Sequence, residues 1–180
     1  MTEREVPNYW PGRCFGCSTT NPHGLHLRLW YSEQGCFTKC TIPDFLCGID
    51  GIVHGGILAL LIDEVAEWTI IAHLGRFGMT RNISIQYFKP ARTNTEIVVE
   101  SQIIGGDDKN VVQQSTIHRA DGTLVAKSRS EWMLPSPSAI ARVTSAGEAT
   151  LHQFLAKYPP KKKQLSSSHF VLRGISLCLV

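Results

Sequence analysis

Gly51-Ile52-Val53-His54-Gly55-Gly56-Ile57-Leu58-Ala59-Leu60-Leu61-Ile62-Asp63-Glu64 is the stretch that decides the fold. A turn signal leads through a histidine and two glycines into an apolar run. The run continues through Val65, Ala66, Trp68, Ile70 and Ile71 and stops at Gly75, which predicts one helix over roughly 55–74. Its apolar residues lie on every side, so such a helix is surrounded rather than laid on a surface. Asp63, Glu64 and Glu67 interrupt it, and a carboxylate inside an apolar helix is costly unless paired or put to chemical use. The glycines leave the first backbone N–H groups open to a ligand. Donors and a carboxylate on one element suit attack on a carbonyl group.

Outward from this helix the pattern is that of strands. Gly24–Tyr31 places Leu25, Leu27, Leu29 and Tyr31 on one face, and 36–42 alternates in the same way. After the helix come Arg81–Lys89, Glu96–Ile104, Val111–Arg119 and Thr123–Met133, the last two joined by an Asp121-Gly122 turn. Two strands, one buried helix and four strands imply an α+β domain in which a mostly antiparallel sheet of about six strands wraps the helix. The expected division is an N-terminal arm over 1–23, a domain over 24–135 and a C-terminal extension over 136–180. Residues 139–157 have room for a short helix, and 159–180 read as a mobile appendage.

Composition narrows the function classes. The chain has 180 residues, 43% apolar and 18% charged, with a formal charge of +3, which fits one globular domain with a substantial core. Its basic residues are scattered apart from Lys161-Lys162-Lys163, so nucleic acid is a poor partner. Three carboxylates at the centre of the longest apolar stretch argue against a membrane span. Met1–Pro7 has no apolar signal-peptide region, so a cytoplasmic location is expected, an organelle being the alternative. Cys14-x2-Cys17 and Cys36-x3-Cys40 approach zinc-ribbon spacing, but Cys36–Ile42 alternates as a strand does. They are read as reduced thiols and no metal is assigned, with zinc as the alternative.

Three groups of residues carry a family likeness: Cys14-Phe15-Gly16-Cys17 with Asn21-Pro22-His23-Gly24-Leu25; His54-Gly55-Gly56 with Asp63-Glu64; and Tyr87-Phe88-Lys89-Pro90-Ala91. In order and spacing the chain resembles hotdog-fold acyl-CoA thioesterases of the phenylacetate-degradation type, the branch that includes the mammalian thioesterase-superfamily members. The likeness covers roughly residues 10–135. It implies hydrolysis of an acyl-CoA or acyl-carrier thioester without a cofactor. Gly56 N–H would be the principal oxyanion donor and Asp63 the base or nucleophile. His54 would contact the thioester or hold the turn, and Thr80 would position the water.

Gly55, Glu64 and Trp68 are candidate substrate contacts, and Arg81, Lys89, Arg92 and Arg129 candidate phosphate contacts. Gly48 stands where some related enzymes carry Asn or Gln as a second carbonyl contact. Gly56 and Asp63 are seven residues apart, about 10.5 Å along a helix, too far for one thioester to meet both easily. The resemblance implies sites shared across an interface, hence a homodimer or tetramer. Two alternatives remain: a hotdog hydratase or dehydratase with His54 as base, and an acyl-thioester-binding module without catalysis.

Overall fold

The computed structural model describes residues 4–160. Chain order is β1 (Glu5–Val6), β2 (Leu29–Tyr31), β3 (Gly35–Thr41), a single 3-10 turn (Asp44–Leu46), β4 (Cys47–Ile49) and β5 (Ile52–Val53). Then come α1 (Gly55–Leu74), β6 (Met79–Tyr87), β7 (Glu96–Gly106), β8 (Asn110–Arg119), β9 (Leu124–Met133), α2 (Pro137–Ala141) and α3 (Glu148–Leu155). One seven-stranded sheet in the order β1-β2-β3-β7-β8-β9-β6 wraps α1, and β4 and β5 form a separate hairpin. Every strand pairing is antiparallel.

Helix α1 runs over the residues expected. It ends at Gly75, whose φ of 62° lies in the left-handed region that glycine enters without strain and whose N–H donates to Ile71 O. Leu58, Leu61, Ile62, Val65, Trp68, Ile70 and Ile71 are buried. Each such side chain contributes about 1.5–3 kcal/mol on burial, so packing rather than helix propensity holds α1. The first turns are less covered. Ile57 and Leu60 are half-buried, beside an outer strand β6 that is exposed along most of its length.

The strand expected over 24–31 is shorter, only Leu29–Tyr31. His26 has a φ of 51°, which breaks the extended run. Its ring bonds Ser18 O at 2.7 Å, and Leu25 and Leu27 N–H turn inward to Phe15 O and Gly16 O. The N-terminal arm therefore docks on the domain and supplies β1 to the sheet. The extension also packs: Ile140, Leu151, Phe154 and Tyr158 are buried, and the Tyr158 hydroxyl donates to Pro7 O. The appendage expected from 159 lies, beyond Pro160, outside the described residues.

Between α1 and the sheet runs a buried polar column. Gln113 Nε2 donates to Ala66 O at 2.9 Å, Ser101 Oγ donates to Gln113 Oε1 at 3.0 Å, and Ser115 Oγ donates to Ser101 Oγ at 3.0 Å. Thr69 Oγ1 donates to Val65 O at 2.8 Å and accepts from Cys36 N–H at 3.1 Å. Such a network fixes the rotation of the helix on the sheet because every member needs its partner. Replacing Gln113 by leucine is expected to lower the unfolding free energy by about 2–3 kcal/mol, measured by urea denaturation with an unchanged m-value.

Candidate active site

The N-terminus of α1 is built by β5 and by the residue that follows it. His54 is extended, at φ −60° and ψ 134°, and its N–H donates to Leu46 O. Its carbonyl accepts from Ile57 and Leu58 N–H. Its Nδ1 accepts the Gly56 N–H at 2.8 Å, so the imidazole caps the helix. The donor assigned to an oxyanion is thus held by His54 in this structure. The preceding N–H, of Gly55, has no acceptor among the described residues. Gly55 O accepts from the Tyr87 hydroxyl at 2.9 Å. A Cβ at Gly48 would lie 3.2 Å from His54 Cδ2, so the ring takes the space a larger side chain needs there.

Asp63 lies two turns further on, half-buried. Thr80, the second residue of β6, donates its Oγ1 hydrogen bond to Asp63 Oδ1 at 2.7 Å. The register of β6 against β9 shifts between Thr80 and Asn82, a bulge of the kind that re-aims a side chain beside a site. One pair, Asp63 with Thr80, therefore ties α1 to the start of β6, and Gly55 with Tyr87 ties it to the end. Glu67, one turn beyond Asp63, accepts the Gly78 N–H with both oxygens at 3.1 Å. Burial pushes its carboxyl well above the ordinary range, the Gly78 bond opposing this.

Glu64 leaves this pair and turns toward the N-terminal arm. Its Oε2 accepts from Cys14 Sγ at 3.2 Å and its Oε1 from Trp68 Nε1 at 3.0 Å. Burial, and then the neighbouring Cys14, push its carboxyl up to about 7. A hydrogen bond from Cys17 holds the Cys14 thiol low, and the same bond together with burial pushes Cys17 up. Cys36 does not join them: its Sγ donates to Trp68 O, and Cys40 sits further along β3. The four-cysteine grouping is therefore not assembled.

Glu64 and Trp68 line a cavity of about 260 Å³ together with Glu67, Phe77, Gly78 and Met79. The arm closes it with Trp10, Cys14 and Cys17, and the extension with Ile140, Leu151 and Phe154. Phe77, Phe154, Trp10 and Trp68 meet there, ring to ring, at centroid separations of 5.1–6.2 Å. Met79 on its wall is the residue before Thr80, and Glu67 on its wall is one turn beyond Asp63.

The candidate cations fall into two groups. Arg92 bridges to Ile52 and the Ala91 carbonyl accepts from Val53 N–H, which brings Lys89 and Arg92 to the His54 end of α1. Arg81 sits beside Thr80 in the bulge, and Arg129 is engaged by Glu131 at 2.6 Å. Sequence reasoning missed the Tyr87 contact with Gly55 and the meeting of Glu64 with the cysteine turn. Tyr87 had a signal, standing inside a quoted motif. The other contact joins residues fifty apart and had none.

Residues 50–126 match the family model described as the thioesterase superfamily. No curated protein matches the sequence. Among solved structures, the chain is similar to a hypothetical thioesterase protein of Streptococcus pneumoniae solved with coenzyme A, at 20% identity and a TM-score of 0.57, covering 61% of this chain and 85% of that one. A Streptococcus mutans protein bound to acetyl CoA is 19% identical with a TM-score of 0.57, covering 61% and 88%. Thioesterase superfamily member 2 of Mus musculus is 20% identical with a TM-score of 0.57, covering 62% and 84%. At these identities the likeness to solved structures is one of fold. Over residues 50–126 the chain is similar to the thioesterase superfamily, and the domain built around them is a hotdog fold.

Proposed function

We propose that the protein hydrolyses acyl-CoA thioesters, with Asp63 as base or nucleophile and the N-terminus of α1 as the oxyanion site. The Asp63–Thr80 hydrogen bond carries this reading. It holds one carboxylate oxygen and leaves Oδ2 to act. As a base, Asp63 takes a proton from water while the water oxygen bonds to the thioester carbon. The oxyanion so formed rests on the Gly55 and Gly56 N–H groups, the carbonyl oxygen displacing the His54 ring from Gly56. Collapse breaks the carbon–sulfur bond, and the departing thiolate takes up the proton. As a nucleophile, Asp63 would instead form an acyl anhydride that water then cleaves.

The solved relatives that hold coenzyme A or acetyl CoA support a thioester of this class. An aspartate and a threonine are also the residues exchanged for alanine in two solved variants of the Streptococcus pneumoniae protein, the residue types joined here. Lys89 and Arg92, at the His54 end, suit the coenzyme's phosphates. The apolar cavity beyond Met79 suits the acyl group, with Trp68 as part of its wall. His54 is less suited to act as the base, since its Nδ1 is committed to the Gly56 N–H.

Two halves of a site lie about 10.5 Å apart on one helix, so a second protomer is required to bring a glycine N-terminus opposite Asp63. The half-buried Ile57 and Leu60 beside the exposed β6 supply the face for it.

Asp63→Asn is expected to lower kcat for thiol release by at least about 100-fold while acyl-CoA binding persists. His54→Ala should be milder. If His54→Ala is the fatal change and an enoyl thioester is hydrated, the protein is a hydratase. Thermal protection by acyl-CoA with no thiol released over hours indicates a binding module. Thr80→Ala is expected to reduce kcat about tenfold with little change in KM, read by steady-state kinetics on the same thioester. Sedimentation at assay concentrations should show a dimer or tetramer; an active monomer would overturn the shared site.

A further inference from the structure

The meeting of Glu64 with the Cys14–Cys17 turn lines the cavity given above to the acyl group but takes no part in the bond-making and bond-breaking steps. Cys14 Sγ, Cys17 Sγ and a Glu64 carboxylate oxygen all lie within 4.8 Å of one another, and Cys14 Sγ stands 3.2 Å from Glu64 Oε2. Tetrahedral coordination with bonds of about 2.0–2.3 Å places neighbouring ligand atoms roughly 3.3–3.8 Å apart. The Cys14–Glu64 separation of 3.2 Å stands at the short edge of that range.

The turn is braced from several directions. Ser18 N–H closes it on Cys14 O at 3.1 Å, Asn8 Nδ2 donates to Cys17 O at 2.8 Å, and Leu25 and Leu27 N–H hold Phe15 O and Gly16 O. A Cβ at Gly16 would lie 2.4 Å from Glu64 Oε2, so the carboxylate is pressed directly onto the turn. Trp68 Nε1 holds the other carboxylate oxygen and orients the group, as partners of metal ligands do. Two thiols and a carboxyl, Cys17 buried and the other two half-buried, are stable together as anions when a cation joins them.

We propose that Cys14, Cys17 and Glu64 form a binding site for a thiophilic divalent cation of the zinc class, its fourth coordination position facing the cavity that all three residues line. Binding expels the two thiol protons and forms two metal–sulfur bonds and one metal–oxygen bond. The ion pins the N-terminal arm to α1. Its open position offers the cavity a Lewis-acidic wall for a soft or anionic donor. The site does not depend on the thioesterase reading.

The test is elemental analysis of the full chain, reduced with a non-thiol phosphine, exposed to Zn2+ and freed of excess. About one zinc per chain is expected. Cobalt loading should give thiolate-to-metal charge-transfer absorption. Cys14→Ser and Cys17→Ser should each lose the ion, and Glu64→Gln should weaken binding at least about tenfold. Cys36→Ser and Cys40→Ser should retain it, judged on variants whose circular dichroism matches the parent. Failure to take up zinc with both thiols reduced, a Cys14–Cys17 disulfide in freshly purified protein, or uptake indifferent to Cys14→Ser would each overturn the site.

Discussion

A helix that is apolar on every side has to be enclosed, and any carboxylate on it has to be answered where it stands. Helix α1 carries three. Asp63 is met by Thr80, Glu64 by Cys14 and Trp68, and Glu67 by the Gly78 N–H. Each answer comes from a different part of the chain. The requirement to enclose one helix therefore dictates where the start of β6, the arm and the loop after α1 must run.

The sheet meets the same helix with a mixed surface. Val99, Ile97, Ile117 and Val125 supply apolar contact, while Ser101, Gln113 and Ser115 supply a polar seam. Apolar packing alone allows a helix to slide or roll at modest cost. The seam removes that freedom, since Gln113 reaches a single carbonyl, that of Ala66. Positioning of the glycine N-terminus relative to β6 follows from this registration, with Tyr87 and Thr80 as its outer points of attachment.

Much of this was legible in the sequence. The bounds of α1 were, because a long apolar run between two glycines and Gly75 admits few other readings. The four strands after it were, because alternation and the Asp121-Gly122 turn survive without knowledge of tertiary contacts. Asp63 and Thr80 were named separately, and the structure joins them. The strand at Leu25–Arg28 was misread because alternation continues through His26 while the backbone does not. Helical periodicity set Glu64 about 100° from Asp63, but an angle does not say which segment covers that face. Nor did composition reveal that the arm and the extension cover it together, since their contacts span about 150 positions.

That last contact bears on how the molecule matures. Tyr158 joins Tyr9 and Pro7, and Phe154 joins Trp10, across the C-terminal half of α1. On a chain made from its N-terminus, the arm emerges first and its closing partners emerge more than a hundred residues later. Throughout that interval Trp10 and the two cysteines of the turn lack their cover. Among the described residues, the chamber lined by Glu64 and Trp68 is thus the last part to be completed, and its completion reports that synthesis has passed Tyr158.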